Sequence, residues 1–303
     1  MVRFSLVVAT RGRVEELAQF LDSLLAQGRA DAEAIVVDQN DDDRLAPVIA
    51  RFADRLPLLR LRSERNNACH ARNLGLRAAR GEIVGFPDDD CLYPPGVLDR
   101  IDAAFRADPA LAVLTGPAES PTGGLGSGRW REESGPITLD TLWTSVIEFN
   151  LFLRRDLALA LGGFDERLGP GTRFGSGEGN DLVARAVRAG HAARYDFEQR
   201  IVHPDKRLTP VAVERAALYG AGFGLVLRRH APSAGVWLRF LVRPLGGMAL
   251  AALRLRRLEF TYYAATLRGR LAGLLAGEEA AAGRTLAPLE PTPREAAPRE
   301  QPA

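Results

Sequence analysis

Three consecutive carboxylates, Asp88-Asp89-Asp90, directly follow the apolar run 82–86 and are well suited to chemistry. Adjacent carboxylates repel one another, and a cation relieves that repulsion. Hard cations such as Mg²⁺ and Mn²⁺ prefer oxygen ligands, which they share with phosphates. The cluster therefore predicts a metal site, whereas the alternative is a solvated turn that caps the helix after Pro94-Pro95. In an extended segment Asp89 would point away from its neighbours, so Asp88 and Asp90 are the predicted ligands.

A second apolar run, 34–38, also ends in polar residues, from Asp38 to Asp41. Open α/β sheets bind ligands outside the carboxyl ends of their strands, so Asp38 could accept hydrogen bonds from a base or a ribose. The alternative is structural, with Asp38 or Asp41 capping the helix that follows.

The elements that must position these residues alternate between short β-branched runs and amphipathic helical patterns up to residue 115, which is typical of βαβ units and a mainly parallel sheet. The predicted strands are Phe4–Ala9, Ala34–Asp38, Leu58–Arg62, Ile83–Phe86 and Ala112–Thr115. Neither a Gly-x-Gly-x-x-Gly loop nor a Gly-x-x-x-x-Gly-Lys loop follows the first strand, which disfavours nicotinamide, flavin and Walker-type sites. Phosphate charge must then be met by metal and arginine, with Arg11 and Arg72 as candidates.

The chain of 303 residues is 46% hydrophobic, which is ordinary for a globular protein with a core. Its two cysteines, Cys69 and Cys91, are too few for a disulfide scaffold and favour a reducing, cytoplasmic location. The short apolar run at the N-terminus predicts a first strand instead of a signal peptide. No nucleic-acid partner is predicted.

The segment Asn66–Gly75 resembles the Asn-x-Gly-x-x-x-Ala-Arg-Asn-x-Gly segment of family 2 inverting glycosyltransferases, which have a GT-A fold. Ala68 departs from the glycine that is common there. Five further segments follow the family's order, and the resemblance covers about residues 3 to 210: Ser5–Arg13, Val36–Asp41, Phe86–Asp90, Gly162–Glu166 and Glu178–Arg185. It implies a GT-A type nucleotide-binding, Rossmann-like mixed sheet flanked by helices, a Mn²⁺ or Mg²⁺ cofactor and a nucleoside-diphosphate-sugar donor.

The resemblance also implies roles for single residues. The residues expected to bind the nucleotide-sugar are Thr10, Arg11, Asp38, Arg72, Asp88, Asp89 and Asn150, and those expected to hold the metal are Asp88, Asp90 and His203. His203 stands in a His-Pro pair like one whose imidazole completes the metal shell in the family, although a lone histidine is more often a packing residue.

The acceptor side is predicted at Gly175–Leu182, which resembles the family's Glu-Asp motif at the start of a helix. A carboxylate there would take the proton of the acceptor hydroxyl, helped by the helix dipole. The usual aspartate is Gly179 in this chain. Glu178 and Asp181 are therefore rival catalytic bases; Glu178 is favoured, since Asp181 has the alternative role of capping the helix.

The chain is predicted to comprise a catalytic domain, 1–209, with a nucleotide-sugar half at 1–116 and an acceptor half at 117–209. Within the second half we expect a loop or lid at Glu119–Pro136 and a helix at about Leu139–Val146. The residues from 210 to 277 are predicted to be helical, with an interruption at Pro244 and Gly246-Gly247. Those from 278 to 303 are predicted to be disordered.

The helical region carries nine arginines and one acid between Arg228 and Leu275, a net charge of +8. Apolar faces with cationic flanks predict peripheral binding to an anionic membrane surface. The longest uncharged stretch, Pro244–Leu253, is about ten residues and predicts no membrane span. A helical subdomain or a dimer interface is the alternative.

These features together predict transfer of a sugar, with inversion, to the hydroxyl of a glycan or lipid-linked acceptor in cell-envelope or polysaccharide synthesis. Two alternatives remain at this stage. One is a non-catalytic nucleotide-sugar-binding module, which Gly179 keeps open. The other is a sugar-phosphate nucleotidyltransferase, which would need a glycine-rich basic loop after the first strand.

Overall fold

A mixed eight-stranded sheet organises the chain in a computed structural model that describes residues 2–277 and 286–292. The strands are β1 Phe4–Thr10, β2 Ala32–Asp38, β3 Leu58–Arg62, β4 Ile83–Gly85, β5 Leu111–Thr115, β6 Ala118–Glu119, β7 Gly135–Pro136, β8 Leu151–Arg154, β9 Ala192–Tyr195 and β10 Ile201–Val202. The large sheet has the order β3-β2-β1-β4-β8-β5-β9-β7, and β6 pairs with β10 in a separate two-stranded sheet.

The four strands β3, β2, β1 and β4 are parallel, and β8 then enters antiparallel to both β4 and β5. All residues of β2 are buried, as are all but one in β1, because helices cover both faces of the sheet. The predicted mixed, helix-flanked sheet is confirmed.

The helices follow the predicted alternation through the first half and dominate the end of the chain. They are α1 Glu15–Leu25, α2 Ala46–Phe52, α3 Ala68–Ala78, α4 Val97–Ala107, α5 Arg155–Ala160, α6 Glu178–Arg188, α7 Pro210–His230, α8 Ala234–Leu253 and α9 Arg257–Leu274. Two short 3₁₀ turns, Leu142–Thr144 and Glu148–Asn150, precede β8.

The helix predicted at Leu139–Val146 is wrong, because only the three-residue turn Leu142–Thr144 forms there. Hydroxyl groups compete for the backbone in this segment. Thr141 Oγ1 accepts a hydrogen bond from the Thr138 N–H at 2.9 Å, and the Ser145 hydroxyl donates to Thr141 O at 2.8 Å. Such local bonds offer the chain an alternative to the helical ladder.

The helices α7 and α9 approach each other closely along glycines spaced four apart on each helix. A Cβ on Gly220 or Gly224 would lie 2.5 or 2.2 Å from a backbone oxygen of α9. A Cβ on Gly269 or Gly273 would lie 2.1 or 2.0 Å from one of α7. Small residues at this spacing allow two helix backbones to pack at close range.

The predicted break of the C-terminal helices at Pro244 is wrong, since α8 continues through that residue. A proline lacks the N–H that would bond to the carbonyl four residues earlier, here Phe240. The guanidinium of Arg270, on α9, donates to that carbonyl instead. Arg270 is thus a substitute donor, and burial lowers its pKa to about 10.

Two C-terminal helices bear on the expectation of no membrane span, which stays a prediction. By length and composition, both α7 and α8 could cross a bilayer, with mean hydropathies of 1.2 and 1.4. They differ in burial, because 44% of the apolar window of α7 is buried against the protein but only 17% of that of α8. The apolar surface of α8 is therefore left largely free.

The predicted disordered tail requires a correction over residues 286–292, which contact α3 and α5. Leu289 N–H donates to Leu159 O at 2.8 Å and Thr292 N–H to Arg77 O at 2.9 Å. The tail crosses Gly162 and Gly163, whose φ angles of +76° and +65° form the turn after α5. The remaining tail residues, 278–285 and 293–303, lie outside the described residues.

Candidate active site

A cleft of about 580 Å³ opens at the carboxyl ends of β1 and β4, within the range usual for small-ligand sites. Its walls come from both halves of the predicted catalytic domain and from α7. Side chains that line it include Arg11, Arg13, Gln39, Arg72, Asp88, Asp89, Asp90, Glu148, Glu178, His203, Arg215 and Tyr219.

Asp88, Asp90 and His203 lie together in this cleft, and one ligand atom from each lies within 4.8 Å of the other two. His203 Nε2 is 3.2 Å from Asp90 Oδ1 and 3.8 Å from Asp88 Oδ2. The imidazole follows β10 directly and stacks on Phe149, with the ring centres 4.4 Å apart. Two carboxylates and an imidazole are a donor set that fits a divalent cation.

The electrostatics of this cluster favour its charged forms. Burial disfavours charge on His203 and Asp90, but their mutual hydrogen bond and attraction outweigh it. The pKa of His203 is therefore raised above its usual value, and that of Asp90 is lowered.

The Asp89 carboxylate is not part of the cluster of Asp88, Asp90 and His203, as predicted for the middle residue. Its carboxylate accepts hydrogen bonds from the Thr10 hydroxyl at 2.7 Å and from Arg13 at 2.9 Å. Burial raises the pKa of Asp89 to about 6 despite these two partners. Asp89 therefore ties the end of β1 to the acidic segment.

Arg72 links the cluster of Asp88, Asp90 and His203 to α6. Its guanidinium donates to Asp88 Oδ1 at 2.9 Å and to Glu178 Oε1 at 3.0 Å. Burial and the nearby charge of Glu148 raise the pKa of Glu178 to about 8, against the opposing effect of Arg72. A single buried arginine thus fixes the spacing of carboxylates from two elements.

The sequence profile of glycosyl transferase family 2 matches residues 5–158, half of the chain. The chain belongs to glycosyl transferase family 2. An uncharacterised glycosyltransferase of Nostoc is 27% identical over 115 residues, which cover 37% of this chain and 36% of that protein. The poly(ribitol-phosphate) β-N-acetylglucosaminyltransferase TarS of Staphylococcus aureus is 30% identical over 94 residues, covering 30% of this chain and 16% of that protein. The matched stretches thus span only about a third or less of these curated relatives.

Solved structures extend the similarity of fold over most of the chain. The mannosyltransferase PcManGT of Pyrobaculum calidifontis, in complex with GDP-Man and Mn²⁺, has a TM-score of 0.65 at 20% identity. The alignment covers 90% of this chain and 87% of that one. A complex of TarS 1–349 with UDP-GlcNAc has a TM-score of 0.58 at 17% identity, covering 89% of each chain. The predicted GT-A fold is confirmed.

Most of the site residues predicted from the family resemblance line the cleft. These are Arg11, Arg72, Asp88, Asp89, Asp90, Glu178 and His203. The two segments that carry the metal cluster are more than 100 residues apart in sequence, and the isolated bridge between Leu92 and Val202 brings them together.

Four of the predicted site residues form hydrogen bonds inside the protein with their side chains: Thr10, Asp38, Asn150 and Asp181. Thr10 is buried and donates to Asp89. Asp38 is fully buried and accepts hydrogen bonds from Arg60 and Arg62. Contact of either side chain with a nucleotide-sugar stays a prediction.

Asn150 and Asp181 also lie away from the cleft wall. The Asn150 amide, fully buried, donates to Pro117 O at 2.9 Å and to Gln199 O at 2.6 Å. Asp181 lines a second cavity, where Arg185, Arg229 and His230 surround it. A carboxylate held by two arginines and a histidine is a poor proton acceptor, so the geometry does not support Asp181 as a base.

Several cleft residues escaped sequence reasoning. Arg13 could have been found, because it shares the Thr-Arg-Gly-Arg turn with Arg11. Glu148, Arg215 and Tyr219 carry no local signal, since they reach the cleft only through the packing of β8 and α7.

Proposed function

We propose that the chain transfers a sugar from a nucleoside-diphosphate-sugar to an acceptor hydroxyl, with inversion at the anomeric carbon. The observation that carries this proposal is the convergence of Asp88, Asp90 and His203 in one cleft with Arg72 and the Glu178 carboxylate. Family membership supports the reaction class.

Asp88, Asp90 and His203 would hold a divalent cation, with Mn²⁺ or Mg²⁺ as the proposed cofactor. A cation bound there would neutralise the diphosphate of the donor and favour its departure. The arginines of the cleft, Arg11 and Arg13, would add charge that complements phosphate.

Thermal denaturation with UDP-, GDP- and dTDP-sugars, each with and without Mn²⁺, tests the donor site. A ligand at about 100 times its Kd stabilises a protein by about 2.7 kcal/mol, so one donor should raise Tm in the presence of the metal. Asp90→Asn should abolish the metal-dependent part of this shift. Asp54→Asn, an exposed carboxylate far from the cleft lining, is the control and should keep it. Absence of a shift with all donors would contradict the proposal.

We further propose that the acceptor is a glycan or a lipid-linked molecule presented at the cytoplasmic face of a membrane. Support comes from α7, whose Arg215, Leu218 and Tyr219 line the cleft. The neighbouring α8 exposes large apolar side chains, including Leu238 and Leu253 at 62% and 82% exposure. The region that would touch lipid therefore adjoins the cleft.

Exposed arginines after α8 suit an anionic surface, where each basic residue contributes about 1 kcal/mol. We expect the protein to sediment with vesicles that contain phosphatidylserine and less with neutral ones. Arg254→Gln combined with Arg257→Gln should weaken binding, whereas the control pair Arg55→Gln and Arg129→Gln should not. Release by high salt indicates peripheral binding, and resistance to salt and carbonate would indicate that α8 spans the bilayer. No binding at low salt would overturn the membrane proposal.

A further inference from the structure

The Glu148 carboxylate lies in the cleft, although Glu148 belongs to no recognisable sequence motif. It begins the 3₁₀ turn Glu148–Asn150, just before the central strand β8, and it is half-buried. It lines the same cleft as Glu178 and the Asp88 cluster. Within residues 2–277 and 286–292 it belongs to no ion pair, and its Oε1 accepts a hydrogen bond from Gly179 N–H at 3.1 Å.

The Glu148 side chain fills the space beside Gly179, where the family motif has its aspartate. A Cβ built on Gly179 would lie 2.9 Å from Glu148 Oε1, 3.0 Å from its Cγ and 3.1 Å from its Cδ. These three atoms are the nearest that such a Cβ would meet. A carboxylate is therefore present at this place in the site, although another element supplies it.

Gly179 lies in the first turn of α6, so its N–H belongs to the positive end of the helix. Glu148 also lines the cleft, so its carboxylate is within reach of a hydroxyl bound there, which is what a proton acceptor needs.

The other carboxylates of the cleft are each engaged. Asp89 is bound by Thr10 and Arg13, and Asp88 and Asp90 belong to the metal cluster. Glu178 is only 3% exposed and accepts the hydrogen bond of Arg72. Its position suits holding Arg72 better than meeting an acceptor.

We propose that Glu148 is the general base of the transfer reaction, an inference that rests on the proposed function. The acceptor hydroxyl gives its proton to the Glu148 carboxylate as its oxygen forms a bond to the anomeric carbon. The bond from that carbon to the diphosphate oxygen breaks, and the nucleoside diphosphate leaves with the electron pair. Glu178 is then a positioning residue that acts through Arg72.

Glu148→Gln tests the assignment with the full chain. Because a general base contributes about 10²- to 10⁴-fold, kcat should fall by at least about 100-fold. The Mn²⁺-dependent thermal shift with the donor should stay, since the amide keeps the shape of the side chain. Glu64→Gln, at an exposed position outside the cleft lining, is the matched control. Glu178→Gln should cost less in kcat than Glu148→Gln.

Moving the carboxylate from residue 148 to residue 179 distinguishes a catalytic role of Glu148 from a structural one. Glu148→Ala removes the atoms nearest to residue 179, so Gly179→Asp should be accommodated in that background. We expect the double variant to recover at least tenfold of the kcat lost in Glu148→Ala. This test holds even if the glutamine variant folds poorly.

The outcomes distinguish the two proposals. If the wild type transfers sugar and Glu148→Gln keeps kcat within threefold, the base assignment fails and the proposed function stands. The assignment also fails if the double variant binds the donor and recovers nothing. If the wild type neither binds nor uses any donor, the proposed function itself fails.

Discussion

The Asp181 carboxylate illustrates how a residue in a catalytic-looking motif can serve the fold. It is almost fully buried, and Arg185 and His230 each lie 2.9 Å from it. Burial opposes its charge, but these partners outweigh it, so the pKa of Asp181 is held well below its ordinary value. Asp181 thereby joins α6 to the end of α7.

This shift makes a prediction about stability and pH. A carboxylate whose folded-state pKa is depressed stabilises the fold above its unfolded pKa, near about 3.9, and loses that contribution as the pH falls. Asp181→Asn removes the buried carboxylate that pairs with Arg185 and should lower the free energy of unfolding at pH 7 by about 3–5 kcal/mol. The deficit should shrink at pH 3. Urea denaturation at both pH values measures it.

Asp54→Asn is a suitable control, because Asp54 is exposed. The assignment would be wrong if Asp181→Asn showed the same deficit at pH 3 and pH 7.

At the level of residues, the sequence identified side chains that follow strands and missed those brought in by packing. Asp88 and Asp90 directly follow β4, and topology alone places that strand end at the ligand edge of the sheet. The structural role of Asn150 was missed, because this residue precedes the central strand β8 and its buried amide donates to backbone carbonyls. No local pattern encodes that difference.

At the level of elements, the α7–α9 pair depends on glycines that leave no room for a side chain. Gly224→Ala would place a Cβ 2.2 Å from Arg270 O, so the helices would have to move apart. Overpacking of this kind costs about 1–3 kcal/mol. We expect a lower denaturation midpoint and a smaller Mn²⁺-dependent donor shift, since α7 also lines the cleft.

Gly246→Ala is the matched control, because nothing lies within 4 Å of a Cβ at that helical position. It should be neutral or stabilising by about 0.5–1 kcal/mol, as expected for glycine in a helix interior. Equal effects of the two substitutions would contradict the close packing of α7 and α9.

Strands and helices with a clear hydrophobic pattern in their own sequence were predictable, whereas elements that depend on tertiary contacts were not. The strands β1 to β5 match their apolar runs closely. The continuous α8 was missed, because a proline normally ends a helix and only Arg270, 26 residues later in the chain, supplies the substitute donor. The missing helix at Leu139–Val146 has the opposite cause, since local hydroxyls overrode an apolar pattern.

At the level of the whole molecule, the segment 286–292 returns to the catalytic domain after the three long helices. Leu289 packs against the hydrophobic core cluster, and a Cβ on Gly163 would lie 2.7 Å from its Cδ1. Leu289→Ser should therefore lower the free energy of unfolding by about 1 kcal/mol. It should also make the segment more sensitive to proteases. Glu290→Gln, at an exposed position, should change neither property, and equal sensitivity of the two variants would count against docking.

The central position of β8 has a consequence for the synthesis of the protein. The strand is encoded after residue 150, yet it lies between β4 and β5, which are encoded before residue 116. A nascent chain that has exposed only the first 116 residues must hold β4 and β5 apart or leave their edges unpaired. Unpaired strand edges attract other chains. A ribosome-bound chaperone would therefore be of most use while residues 116 to 150 are translated. A fragment that ends at residue 116 is a poor choice for expression.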